Sequence, residues 1–162
     1  ENGNPDAMNA AWGGLYDGNK VELCLSAGHK TTKNIRATGA FTVSFADAAN
    51  LVASDYVGLA SANTEPKKME KSGFHLTKSQ FVNAPLIDEL PVAMECKLVK
   101  INEDGNVIGE IVNVSADESV LGEDGNIDFS KFRPISFEPV HNGYHVLGQR
   151  VGNAFQDGAA LK

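Results

Sequence analysis

Apolar residues along this chain alternate more often than they recur at helical spacing, which predicts a mostly β protein with a few short helices. Leu23 and Leu25, then Phe41, Val43 and Phe45, alternate with smaller or polar neighbours, the period-2 signature of half-buried strands. Glu1 to Asp6 reads as a turn and Ala7 to Leu15 as a strand carrying Trp12 beside Gly13 and Gly14. Asp17-Gly18-Asn19 is a turn leading into Val21 to Leu25. Helical spacing is confined to short stretches. Lys30 to Thr38 stops at Gly39, a common residue after a helix C-terminus. Ala48 to Ala60 repeats Leu51, Val52, Tyr56 and Leu59 as an amphipathic helix, and Pro66 opens a short helix over Lys67 to Lys71 that ends at Gly73. From Val92 the character changes to β-ribbon: Val92 to Ile101 and Val107 to Val114 flank the hairpin loop Glu103-Asp104-Gly105-Asn106, and Glu123-Asp124-Gly125-Asn126 repeats that turn chemistry. Many short strands with two or three small helices predict a closed or nearly closed antiparallel barrel, which removes exposed edges.

Composition narrows the picture. With 162 residues and 42% hydrophobic content, residues 1–162 are expected to form a single domain with its own core. A net charge of -7 argues against nucleic-acid or anionic-membrane partners, both of which call for a broad basic face. The cations are local instead: His29, Lys30, Lys33 and Arg36 in one group, Lys67, Lys68 and Lys71 in another, the latter equally readable as a solvated helix face. Cys24 and Cys96 both lie in apolar, strand-like runs and are expected to be buried thiols outside any disulfide framework. No apolar run approaches the ~20 residues of a membrane span and no charged-then-apolar leader is visible, so a cytoplasmic location is the default expectation.

The densest chemistry lies between Cys24 and Ala46. Ser26, Gly28, His29, Lys30, Thr31 and Thr32 place hydroxyls, a flexible glycine and cations where a helix begins, and a helix N-terminus offers unpaired N–H groups and partial positive charge. One N-cap needs one hydroxyl; the surplus suits a phosphate, although capping alone accounts for Thr31 or Thr32. Upstream, Ala10, Ala11, Gly13 and Gly14 allow a group to approach the backbone closely, with Trp12 as a flat wall, or they simply pack a barrel strand. Other sites fall away. His141 and His145 are four apart, but Asn142-Gly143 between them makes a turn rather than a metal-binding helix. Glu123 to Asp128 lacks the ligand alternation of a calcium loop, and both the Gly-x-Ser-x-Gly elbow and the Gly-x-Gly-x-x-Gly fingerprint are missing.

Four segments, AMNAAWGG from Ala7, CLSAGHKTTKNIRATGAFTVSFA from Cys24, DYVGLASANTEPKKMEKSGF from Asp55 and GYHVLGQRVGNAF from Gly143, together resemble the flavin reductase-like family of FMN-binding split barrels, which includes the flavoredoxins. The resemblance implies a split β-barrel in which the loop of Ser26, Gly28, His29, Lys30, Thr31 and Thr32 holds the FMN phosphate. It places the isoalloxazine ring along Asn9, Ala10, Ala11 and Trp12, with Tyr56, Ser61, Asn63 and Lys68 of the same or the second subunit near the flavin, and Tyr144 either stacking near the ring or only packing the barrel rim. It further implies a homodimer with FMN at the interface and NAD(P)H as co-substrate, electrons passing from FMN to an acceptor the sequence does not identify. An electron carrier with the same FMN site but no NAD(P)H oxidation of its own, and a flavin-free barrel whose turn is only a capped helix, are the alternative readings. Two positions depart from the family pattern: Asp6 stands where Asn is usual, adding a negative charge near the ring, and Asn9 where Thr is usual. Members commonly begin with a further apolar strand before the position of Glu1, which is expected to be lacking here.

Overall fold

The computed structural model describes residues 3–162, so the first part of the turn expected over Glu1 to Asp6 lies outside the described residues. In chain order the elements are β1 (Gly13–Asp17), β2 (Lys20–Leu23), α1 (Lys30–Thr38), β3 (Ala40–Ser44), α2 (Leu51–Leu59) and α3 (Lys68–Ser72). The chain continues with β4 (Leu76–Lys78), β5 (Pro85–Ile87), β6 (Val92–Ile101), β7 (Val107–Ala116), β8 (Ile135–Glu138) and β9 (Gly143–Val146). One antiparallel sheet runs β1-β2-β7-β6-β3, and the pairs β4-β5 and β8-β9 form two smaller ribbons. The β8–β9 ribbon docks at the end of β3 through an Asp47–Pro134 bridge and the Ile135 N–H to the Ala46 carbonyl at 3.0 Å. The architecture is mostly β with short helices, as the pattern predicts, and its split-barrel arrangement is the one the family resemblance implies.

The core explains the hydrophobic code. Val21, Leu25, Ile35, Phe41, Met94, Cys96 and Val107 form the central cluster, drawn from β2, its following loop, α1, β3, β6 and β7. Phe41 fits because Gly109 faces it across the sheet; a Cβ there would overlap the Phe41 ring. The long β6–β7 ribbon turns at Gly105, whose φ of +91° suits a residue without Cβ. Helix α1 ends as the sequence predicts: Gly39 takes φ +66° and its N–H donates to the Ile35 carbonyl at 2.9 Å.

Two expectations need correction. The predicted strand over Ala7 to Leu15 is regular only from Gly13, because only from there does β2 run alongside to complete a ladder. Cys24 is exposed rather than buried: β2 ends at Leu23, and the alternation that sends Val21 and Leu25 into the core turns Cys24 outward. Cys96 is fully buried as expected, and burial followed by the nearby Glu95 charge pushes its thiol up to about 12. Among the described residues no helix is long and apolar enough to cross a membrane.

Candidate functional site

The turn before α1 is built by its own hydroxyls. Thr32 is wholly buried and its Oγ1 donates to the Ser26 carbonyl at 2.8 Å, while the His29 N–H reaches the same carbonyl at 3.2 Å. Two donors on one acceptor fold Ser26 to His29 into a tight loop at the head of the helix. Ser26 and His29 remain exposed on its rim, with Gly28 between them at 3.4 Å from N–H to Ser26 Oγ. Among the described residues no side chain caps α1: His29 occupies the N-cap position without accepting a cap hydrogen bond, and the first turn carries no acidic residue. An uncapped N-terminus ringed by His29, Lys30 and Lys33 is an electropositive cradle of donors.

A second turn braces the first. Asn63 donates from Nδ2 to the Gly28 carbonyl at 3.0 Å and accepts from Lys33 Nζ at 3.2 Å, and its own N–H rests on Ser61 Oγ at 3.3 Å. Ser61 and Asn63 thus sit beside the turn before α1.

Asp6 and Lys68 have a different role from the one their sequence context suggests. The two side chains are 2% and 3% exposed and meet at 3.0 Å between Lys68 Nζ and Asp6 Oδ1, an ionic contact lying outside ideal hydrogen-bond angles. Thr31 Oγ1 donates to the other carboxylate oxygen, Oδ2, at 2.6 Å. The charge at Asp6 is therefore compensated internally, and Lys68 and the Thr31 proton are committed to it. Together they tie the N-terminal segment to α1 and α3.

The third group surrounds Asn9. An apolar cleft of 1330 Å³ opens between the N-terminal segment, β3 and the β8–β9 ribbon, and Asn9, Ala10, Ala11, Thr31 and Tyr144 are on its lining. Asn9 Nδ2 donates to the Tyr144 hydroxyl at 3.0 Å, and that hydroxyl donates to Asp55 Oδ1 at 2.8 Å. Burial first, then the hydrogen bond to Asp55, raises the Tyr144 phenol above its ordinary value, so it keeps its proton. Trp12 is half exposed and meets Phe137 edge-on at 6.1 Å; Phe137 in turn contacts Tyr144 at 5.9 Å. These rings form an aromatic wall beside Asn9.

Of the residues singled out from sequence, Ser26, Gly28, His29, Lys30, Thr31, Thr32, Ser61 and Asn63 thus gather at the head of α1. Asn9, Trp12 and Tyr144 form the aromatic side. Tyr56 stands apart: it packs against the Val57, Phe74 and Leu90 cluster and borders a separate hollow with Val52 and Ser72. Asp55 and Phe137 were missed. Helical spacing offers a signal for the first, since Asp55 and Gly58 share a face of α2, and a Cβ on Gly58 would come within 2.9 Å of Asn9 Cβ.

Comparison with known proteins bears on the fold as a whole. Flavoredoxin of Desulfovibrio vulgaris (Miyazaki F) superposes with a TM-score of 0.92 at 34% identity, covering 98% of this chain and 87% of that one. Flavoredoxin from Methanosarcina acetivorans gives 0.87 at 25% identity over 97% and 85% of the two chains. An uncharacterized protein of Aquifex aeolicus (strain VF5) is 35% identical over 74 residues, 44% of this chain, and the match spans only 38% of that protein's length. The sequence model of the Flavin reductase like domain matches residues 17–136, and the chain belongs to that family.

Proposed function

We propose that this chain binds FMN and passes electrons from NADH or NADPH through it to an acceptor, as a homodimer. The observation that carries the reading is the uncapped head of α1, where Ser26 and His29 flank the first-turn N–H groups and Lys30 opens the helix, in a chain of this family. The donor set fits a phosphate dianion: backbone N–H groups, a hydroxyl and cations, with no carboxylate in the first turn. Thr31 and Thr32 act one step back, the first holding Asp6 and the second shaping the turn.

FMN supplies the redox chemistry, a ring that accepts hydride and gives up electrons, so the chain needs no acid–base pair of its own. Its residues bind and orient. The head of α1 fixes the phosphate end, and the Asn9 to Trp12 segment, with few side-chain atoms at Ala10 and Ala11, lies against the ring. Dimerisation would cover the ring's open side and the apolar C-terminal stretch, where Val151, Phe155 and Leu161 are essentially fully exposed.

The resemblance to flavoredoxins favours a second reading, an FMN-dependent electron carrier without NAD(P)H oxidation of its own. Purified protein mixed with FMN and desalted should retain a flavin absorption band. Anaerobic mixing of that holoprotein with NADH or NADPH then separates the readings: rapid bleaching supports the reductase, and a flavin that only dithionite bleaches supports the carrier. A protein that emerges colourless and shows no FMN binding in titration contradicts both.

A further inference from the structure

Asn9 carries an amide whose orientation is set by its neighbours. The Tyr144 hydroxyl has one proton, and the Asp55 carboxylate can only accept it, at 2.8 Å. The phenol oxygen is left with lone pairs, so the group 3.0 Å away on Asn9 must be the donor, Nδ2. The amide oxygen Oδ1 is thereby turned away from Tyr144. It has no hydrogen-bond partner among the described residues and is not enclosed by protein, and Asn9 lines the cleft. Gly58, lacking a Cβ, lets Asn9 pack close against α2, since a Cβ there would stand 2.9 Å from Asn9 Cβ. The chain Asp55–Tyr144–Asn9 therefore presents one fixed acceptor to the cleft.

We propose that Asn9 Oδ1 accepts a hydrogen bond from the imide N3–H of the flavin ring, with Tyr144 and Asp55 as positioning residues that keep the amide from flipping. This rests on the FMN reading above. The chemistry selects the partner: along its polar edge the oxidised isoalloxazine carries acceptors at N1, O2, O4 and N5 and a single donor, N3–H. An acceptor aimed at that edge has only N3–H to pair with. A flipped amide would instead present an N–H to that donor, leaving two donors face to face. Asn9 in the place usually held by Thr thus acquires a specific use.

The test compares FMN with 3-methyl-FMN, in which the donor is replaced by a methyl group, by fluorescence titration of the parent, Asn9→Ala and Tyr144→Phe. Tyr144→Phe keeps the ring that packs on Phe137 and removes only the hydroxyl. The parent is expected to bind FMN about tenfold more tightly than 3-methyl-FMN, the value of roughly one net hydrogen bond. Asn9→Ala is expected to lose most of that preference, and Tyr144→Phe to lose part of it while circular dichroism stays unchanged. Equal discrimination by the parent and Asn9→Ala would overturn the assignment to Asn9. Full discrimination in Tyr144→Phe would overturn the positioning role. A parent that binds neither flavin removes the FMN reading and this inference with it, an outcome distinct from tight binding of both flavins, which removes the inference alone.

Discussion

Removing one member of the Asp6–Lys68 pair should destabilise the protein far more than removing both. The two charges lie 3.0 Å apart with side chains 2% and 3% exposed. At an effective dielectric near 20 their attraction is roughly 5 kcal/mol, while desolvation costs several kcal/mol per ion, so the net worth of the intact pair is small. Lys68→Met leaves Asp6 as a buried charge satisfied, among the described residues, only by the Thr31 hydroxyl, and a loss of about 3–5 kcal/mol is expected. Asp6→Leu alone strands the ammonium with a similar cost. The double variant Asp6→Leu/Lys68→Met should return to within about 1 kcal/mol of the parent, or above it. Urea unfolding at neutral pH, followed by far-ultraviolet circular dichroism, measures all four proteins. A single-variant loss below about 1 kcal/mol, or a double variant whose loss equals the sum of the singles, would refute the reasoning, because either shows that the charges are not interdependent.

Three further outcomes follow from the same geometry. Gly109→Ala should cost about 1–3 kcal/mol in urea unfolding, because its Cβ would overlap the Phe41 ring and sit 3.2 Å from Cys96 Cβ; adding Phe41→Leu should recover part of the loss, and strict additivity would contradict the clash. A thiol reagent should titrate one cysteine in the native protein, the exposed Cys24, and a second only after denaturation; prompt reaction of both would contradict the burial that raises Cys96 to about 12. His75 Nδ1 lies 2.6 Å from Glu89 Oε1, and that hydrogen bond, then the charge, raises the imidazole above its ordinary value. The pair's contribution is therefore complete below the unfolded histidine value of about 6.5 and is lost as pH rises through the raised folded one. An NMR titration of His75 that does not fall on Glu89→Gln would contradict it.

Much of this could be read from local sequence because local rules set it. Helix α1 was bounded correctly by a hydroxyl-rich start and by Gly39, whose left-handed φ of +66° is what a glycine there signals. The β6–β7 ribbon was visible in its alternation and in Gly105. The failures come where a partner decides. Whether Ala7 to Trp12 counts as strand depends on what lies beside it, and β2 reaches only as far as Gly13. Cys24 is exposed because it falls on the face opposite Val21 and Leu25, a parity that apolar content alone does not mark. Nothing local joins Asp6 to Lys68, nor Tyr144 to Asp55 at a separation of 89 residues; the fold brings them together. The resemblance implies a place near the flavin for Lys68 and at its phosphate for Thr31, while the buried carboxylate that engages both is visible only in three dimensions.

The central claim is that the head of α1 is a phosphate site, and riboflavin, which has the same ring without the phosphate, tests it most directly. Two charge-assisted hydrogen bonds at about 1.5–3 kcal/mol each predict that FMN binds ~100-fold or more tightly than riboflavin. Fluorescence titration of both flavins against the same protein gives the ratio. A preference of that size supports the account, and equal affinities would contradict it.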